Sequence, residues 1–98
     1  MYAQVSKVQV NPGKVEEATR IFKEQVLPLV REQQGFRRFY LLVNKEENKI
    51  LVANIWDREA DINALSENGF YQSQVAKFAN VFAEPPEREV FEVALQEQ

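Results

Sequence analysis

Apolar residues change their spacing several times along the chain, and each change marks an element. In residues 2–10, YAQVSKVQV, they fall at Ala3 and Val5 and then at Val8 and Val10. That alternation predicts a strand, and the change of parity near Ser6-Lys7 predicts either a bulge or a strand covered on both faces. NPGK, residues 11–14, is turn chemistry. Val15, Ala18, Ile21, Phe22, Val26, Leu29 and Val30 then follow the 3.6-residue period of an amphipathic helix. Pro28 lies inside that helix and must kink or interrupt it, because its ring displaces the bond to the Glu24 carbonyl. Gly35 stops the segment.

Residues 36–43 predict a second strand, NKEENK (44–49) a polar hairpin loop, and residues 50–56 a third strand. Asp57 is a suitable N-cap for a short helix carrying Ile62 and Leu65, which SENG ends. Tyr71, Val75, Phe78, Ala79 and Phe82 keep helical spacing. Pro85-Pro86 closes that helix, and residues 88–95 predict a last strand. The order β-α-β-β-α-β predicts an α+β fold of ferredoxin-like, split-βαβ type: a four-stranded antiparallel sheet with helices on one face. No repeat or linker divides the chain, so residues 1–98 read as one domain.

The strands are apolar on both faces. In the third, Leu51, Ala53 and Ile55 line one side while Ile50, Val52 and Trp56 line the other. In the second, Phe39, Leu41 and Val43 oppose Phe36, Tyr40 and Leu42; in the fourth, Phe91, Val93 and Leu95 oppose Val90 and Ala94. A sheet with water on one side alternates more cleanly than this. The helices can cover one face only, so a second copy is the simplest cover and a homodimer the first expectation. A monomer with an apolar surface is the alternative.

The missing residue types narrow the chemistry. With no Cys and no His, thiolate catalysis, Ser-His-Asp chemistry and the usual zinc, copper and haem ligands are excluded. No metal and no cofactor are expected. A general base would have to be a carboxylate, Lys or Tyr shifted by its surroundings. The three glycines are isolated, so there is no Gly-rich phosphate loop. A net charge of −3 and a single adjacent basic pair, Arg37-Arg38, argue against a nucleic-acid surface. No apolar run approaches the ~20 residues of a membrane span, and MYAQVSKVQV has no signal-peptide pattern, so a cytoplasmic protein is expected.

Four stretches, VNPGKVEEATRIFKEQVLPLVREQQGF, ILVANIWDREAD, SENGFYQSQVAKF and EVFEVALQ, resemble the antibiotic biosynthesis monooxygenase family of the dimeric α+β barrel superfamily. The resemblance covers essentially the whole chain and implies a homodimer whose two sheets face each other. Members include cofactor-free oxygenases that turn aromatic anthrones into quinones, haem-degrading enzymes, and proteins that handle quorum-sensing signals. The haem-degrading members use an Asn, a Trp and a His at positions that fall here at Ser6, Leu65 and about Val75, so haem degradation is not implied. The quinone-forming members surround a buried aromatic substrate with an Asn, a Trp and Tyr residues. Asn54, Trp56 and Tyr71 offer those residue types here and are the catalytic candidates. Tyr40, Arg38 and Phe78 are the candidate substrate contacts.

Strand geometry puts Asn54 and the only tryptophan, Trp56, on one face. Read as chemistry, Trp56 stacks on a planar substrate and the Asn54 amide donates to a phenolate or developing enolate. Tyr40 and Tyr71 hold or relay a proton, and Arg38 pairs with an anionic substrate or peroxide. Read as packing, Trp56 is an anchor and Asn54 a polar residue satisfied by backbone or water. In that case Asn54→Leu is neutral or stabilising. Three classes therefore stay open. They are a cofactor-independent monooxygenase acting on a small aromatic or quinol-like compound, a non-catalytic small-molecule-binding dimer, and a structural homodimer. A cavity beside Asn54 separates the first two from the third.

Overall fold

A computed structural model describes residues 1–97. Its strands are β1 (Tyr2–Gln9), β2 (Phe36–Asn44), β3 (Lys49–Trp56) and β4 (Glu87–Glu92). They form one sheet in the order β2-β3-β1-β4, with every neighbouring pair antiparallel. The helices α1 (Val15–Ile21), α2 (Leu27–Val30), α3 (Glu59–Glu67) and α4 (Phe70–Val75) complete a ferredoxin-like α+β fold.

β1 carries no bulge. It pairs without a break with β3 from Tyr2↔Trp56 to Gln9↔Lys49. The parity change comes from polar residues on the helix-facing side, where Gln4 and Ser6 are buried in line with Val8 and Val10. The bulge sits instead in β2, between Phe36 and Arg38. It carries Phe36 onto the face of Phe39 and Leu41 rather than that of Tyr40 and Leu42, and Phe36 meets the Trp56 ring edge-on, centroids 5.6 Å apart.

Pro28 interrupts its helix by widening it. Residues Phe22–Val26 form a π turn between α1 and α2, with Pro28 in the first turn of α2. The wider i→i+5 turn is one way to pass a residue with no N–H to donate. The Gln25 carbonyl accepts from Lys77 Nζ at 2.6 Å, and Lys77 also donates to Gln74 Oε1 at 2.9 Å. One lysine thus ties the π turn to the second helical region.

That region is shorter than its sequence spacing predicts: α4 ends at Val75, and a single 3₁₀ turn, Ala76–Phe78, follows. α3 also begins later than predicted, with Arg58 rather than Asp57 at its N-cap. The Arg58 amide donates to Asp61 Oδ2 at 3.1 Å, which is half of a capping box, and its guanidinium pairs with Oδ1 at 2.8 Å; Asp57 instead pairs with the bulged Arg37. The buried Asp61 carboxyl lies against the Gly35 turn, where φ is +84° and an added Cβ would fall 2.1 Å from Asp61 Oδ2. Only glycine fits there. The Arg58 hydrogen bond, reinforced by its charge, holds the Asp61 pKa below the usual carboxylate value against the opposing effect of burial. The last strand stops at Glu92 rather than Leu95.

The core lies between the sheet and the helices. Ala18, Trp56 and Ile62 are wholly buried, and Phe22, Phe78 and Phe82 form an aromatic stack with Phe78 and Phe82 4.3 Å apart. Among the described residues, no helix is long and apolar enough to cross a membrane.

Candidate functional site

Within this layer a cavity of about 60 Å³ opens between the sheet and α4. Gln4, Ser6, Asn54 and Trp56 form its sheet wall; Phe22, Phe78 and Tyr71 close it from the helices. Gln4 and Asn54 are directly opposite in the β1–β3 register, and Ser6 lies opposite Arg88 in β1–β4. Consecutive same-face positions on three neighbouring strands therefore bring four polar side chains to one end of an apolar core.

Their hydrogen bonds converge on one acceptor, Asn54 Oδ1. Trp56 Nε1 donates to Asn54 Oδ1 at 2.6 Å, and Gln4 Nε2 donates to the same oxygen at 3.3 Å. Gln4 Oε1 accepts from Arg88 Nε at 2.6 Å, and Arg88 also donates to Ser66 Oγ. Indole and guanidinium groups donate only, so both amide orientations follow from their partners. The Asn54 Nδ2 group has no partner among the described residues, and none of their buried side-chain nitrogens or oxygens lacks one. The nitrogen is therefore not fully enclosed, and Asn54 lines the cavity.

The far wall is Tyr71. Its hydroxyl lies 3.3 Å from Ser6 Oγ, and the Arg88 guanidinium stands 4.7 Å from its ring centroid. Such stacking of a cation on an aromatic face is favourable and leaves the guanidinium edge free to donate. No carboxylate and no lysine lines the cavity, so any charge that develops there meets donors.

The structure brings Asn54, Trp56, Tyr71 and Phe78 together around one cavity. It places Arg38 and Tyr40 on the other face of the sheet, where Arg38 lies opposite Ile55 and Tyr40 opposite Ala53. Tyr40 there is 45% exposed. Gln4 and Ser6 line the cavity and Arg88 backs them through Gln4 Oε1; sequence reasoning missed all three. Parity marks them: each occupies a helix-facing strand position that apolar residues hold elsewhere.

A sequence profile described as antibiotic biosynthesis monooxygenase matches residues 1–77. The chain belongs to the antibiotic biosynthesis monooxygenase family. Solved structures agree on the fold. A Bordetella bronchiseptica protein provisionally named an antibiotic biosynthesis monooxygenase superposes with a TM-score of 0.82 at 18% identity, covering 96% of this chain and 97% of that one. A Nitrosomonas europaea protein with the same provisional name gives a TM-score of 0.72 at 23% identity, covering 97% and 100%. A second Nitrosomonas europaea protein, of unknown function, gives 0.77 at 22%, covering 99% and 92%. At these identities the likeness concerns the fold alone. No protein of curated function matches the sequence. Family membership makes oxygenation the first chemistry to test against the cavity, and its residues must carry the rest of the argument.

Proposed function

We propose that the protein is a cofactor-independent monooxygenase of the cytoplasm. It takes a small hydroxyaromatic or quinol-like compound into the cavity beside Asn54 and works as a homodimer whose two sheets face each other. The observation that carries this reading is the polarity of the site: an aromatic-walled cavity lined by Asn54, whose oxygen is engaged within the sheet and whose Nδ2 has no partner among the described residues.

The reaction needs little more from the protein. A benzylic methylene flanked by oxygenated rings loses a proton to water, and its negative charge spreads onto the ring oxygen. Asn54 Nδ2 donates to that oxygen and lowers the cost of ionisation. The carbanion forms a C–O bond to dioxygen, and the peroxide takes up a proton. The second methylene proton then leaves as the O–O bond breaks. One oxygen remains as the ketone and the other departs as water, so dioxygen gains the four electrons the carbon loses. Trp56 and Phe78 hold the ring plane, and the enclosed site limits water around the anion.

No carboxylate or lysine stands in the cavity to act as base, so the substrate's own acidity sets the rate of ionisation. A cavity of about 60 Å³ holds a few waters, whereas roughly 150 Å³ accommodates a benzene ring. Substrate entry therefore requires the Tyr71 wall to move outward. Support for the dimer lies on the other face of the sheet, where Tyr40, Leu42 and Phe91 are each about half exposed.

Oxygen uptake with a panel of anthrones and hydroquinones tests the proposal. Turnover is expected in metal-free buffer, without added flavin, haem or iron. Asn54→Leu is expected to lower kcat by roughly 10²–10³, the usual loss for one anion-stabilising donor. Binding without oxygen uptake would identify a non-catalytic binding dimer. Neither binding nor turnover across the panel would leave a structural dimer.

A further inference from the structure

Asn54 can serve as a donor only if its amide faces the right way, and an isolated side-chain amide has no strong preference between its two orientations. We propose that Gln4 is the positioning residue that sets this orientation. The proposal rests on the cavity reading given above, but it concerns the unliganded protein and can be tested without a substrate.

Along the row each donor meets an acceptor on the neighbouring strand or residue. Arg88 carries only donors, so it takes the Gln4 carbonyl, Oε1, at 2.6 Å. That leaves Gln4 Nε2 facing β3, where it meets Asn54 Oδ1 at 3.3 Å. Trp56, also a pure donor, reaches the same oxygen from the other side at 2.6 Å. Two donors converge on one carbonyl, which has two lone pairs to offer. The Asn54 oxygen is thereby saturated within the sheet, and its nitrogen is turned toward the cavity. Gln4 is 5% exposed and Asn54 6%, so water does not compete for these bonds. Inverting the Asn54 amide would set its N–H₂ against both the Trp56 and the Gln4 donors. Gln4 thus relays the charge of Arg88, on β4, across β1 to an amide on β3. Arg88 itself makes no contact with Asn54 among the described hydrogen bonds.

The relay depends on polarity rather than size, so Gln4→Glu is the informative change. The new carboxylate still accepts from Arg88, but it offers Asn54 an acceptor where Gln4 offered a donor. Asn54 must then either leave two oxygens facing each other or turn its nitrogen toward residue 4 and abandon Trp56. In ¹⁵N-labelled protein the Trp56 indole N–H resonance reports the choice. In the parent protein it is expected downfield and slow to exchange with solvent. In Gln4→Glu it is expected to move upfield and to exchange at least tenfold faster, while the backbone amide spectrum keeps its dispersion.

Gln4→Met covers the case in which the charged variant does not fold. It keeps the side-chain length and removes both polar groups. The two Asn54 Nδ2 proton resonances are then expected to broaden or shift as the amide loses one of its two restraints. An unchanged Trp56 N–H resonance and exchange rate in Gln4→Glu would overturn the proposal. If that variant is unfolded, unchanged Asn54 side-chain resonances in Gln4→Met would do the same. Neither result depends on finding a substrate. A failed oxygen-uptake screen therefore counts against the proposed function, and an unmoved indole signal against Gln4.

Discussion

Asn54 shows how a single side chain changes meaning once its neighbours are known. Taken alone, a buried amide is a liability, and a leucine in its place is expected to be harmless. The structure reverses that expectation, because Asn54 Oδ1 is the acceptor for both Trp56 Nε1 and Gln4 Nε2. Asn54→Leu strands two buried donors, and an unsatisfied buried polar group costs about 1–3 kcal/mol. The variant is therefore expected to unfold at a lower denaturant concentration, with an unchanged m-value. Trp56→Phe removes a donor together with its ring and should leave Asn54 with Gln4 as a partner. The double variant is then expected to be less destabilised than the two single changes added together, a coupling that a double-mutant cycle in urea measures directly.

At the scale of elements, the order of strands and helices was legible in the sequence because hydrophobic period and turn residues agreed along most of the chain. The boundaries that moved did so for identifiable reasons. α3 starts after Arg58 because Asp61, three residues on, closes the cap, and Asp57 is drawn instead to Arg37 at the β2 bulge. The bulge itself left no mark in the alternation, since Phe36 and Tyr40 are both aromatic and suit either face. The candidate site was half legible. Asn54, Trp56 and Tyr71 stand out by residue type. Gln4, Ser6 and Arg88 show only as lapses in parity, which resemble a bulge until the register is known.

The α3 cap also predicts a response to acid. The Asp61 pKa is lowered in the folded protein. Its contribution is therefore complete above the unfolded carboxylate value of about 3.9 and is lost as pH falls through the folded value. Stability should thus decline below about pH 4 in the parent protein and decline less steeply in Asp61→Asn, by denaturant titration at a series of pH values. Gly35→Ala probes the same corner from the other side. It places a Cβ into the Asp61 carboxyl at a φ of +84°, and the backbone strain alone is expected to cost on the order of 1–3 kcal/mol.

For the whole molecule, the question is what covers the second face of the sheet. Tyr40, Leu42 and Phe91 lie there at 45%, 51% and 47% exposure, large apolar side chains that a sheet with water on that face would more often replace with polar ones. If a second copy covers it, sedimentation equilibrium at micromolar concentration will give a dimer, and Leu42→Glu will shift it toward monomer by burying an unpaired charge at the interface. A stable monomer in the parent protein would remove the dimer from the proposal.

The placement of Trp56 has one more use. It is the chain's only tryptophan, it is fully buried, and its indole N–H is bonded to Asn54 on the cavity wall. The protein consequently carries its own optical reporter. Its intrinsic fluorescence comes from a single indole at the proposed binding point, so a ligand entering beside Asn54 should change emission intensity or wavelength without any label. Candidate compounds can be titrated in a cuvette before any turnover is known, with the Trp56→Phe protein as the dark control.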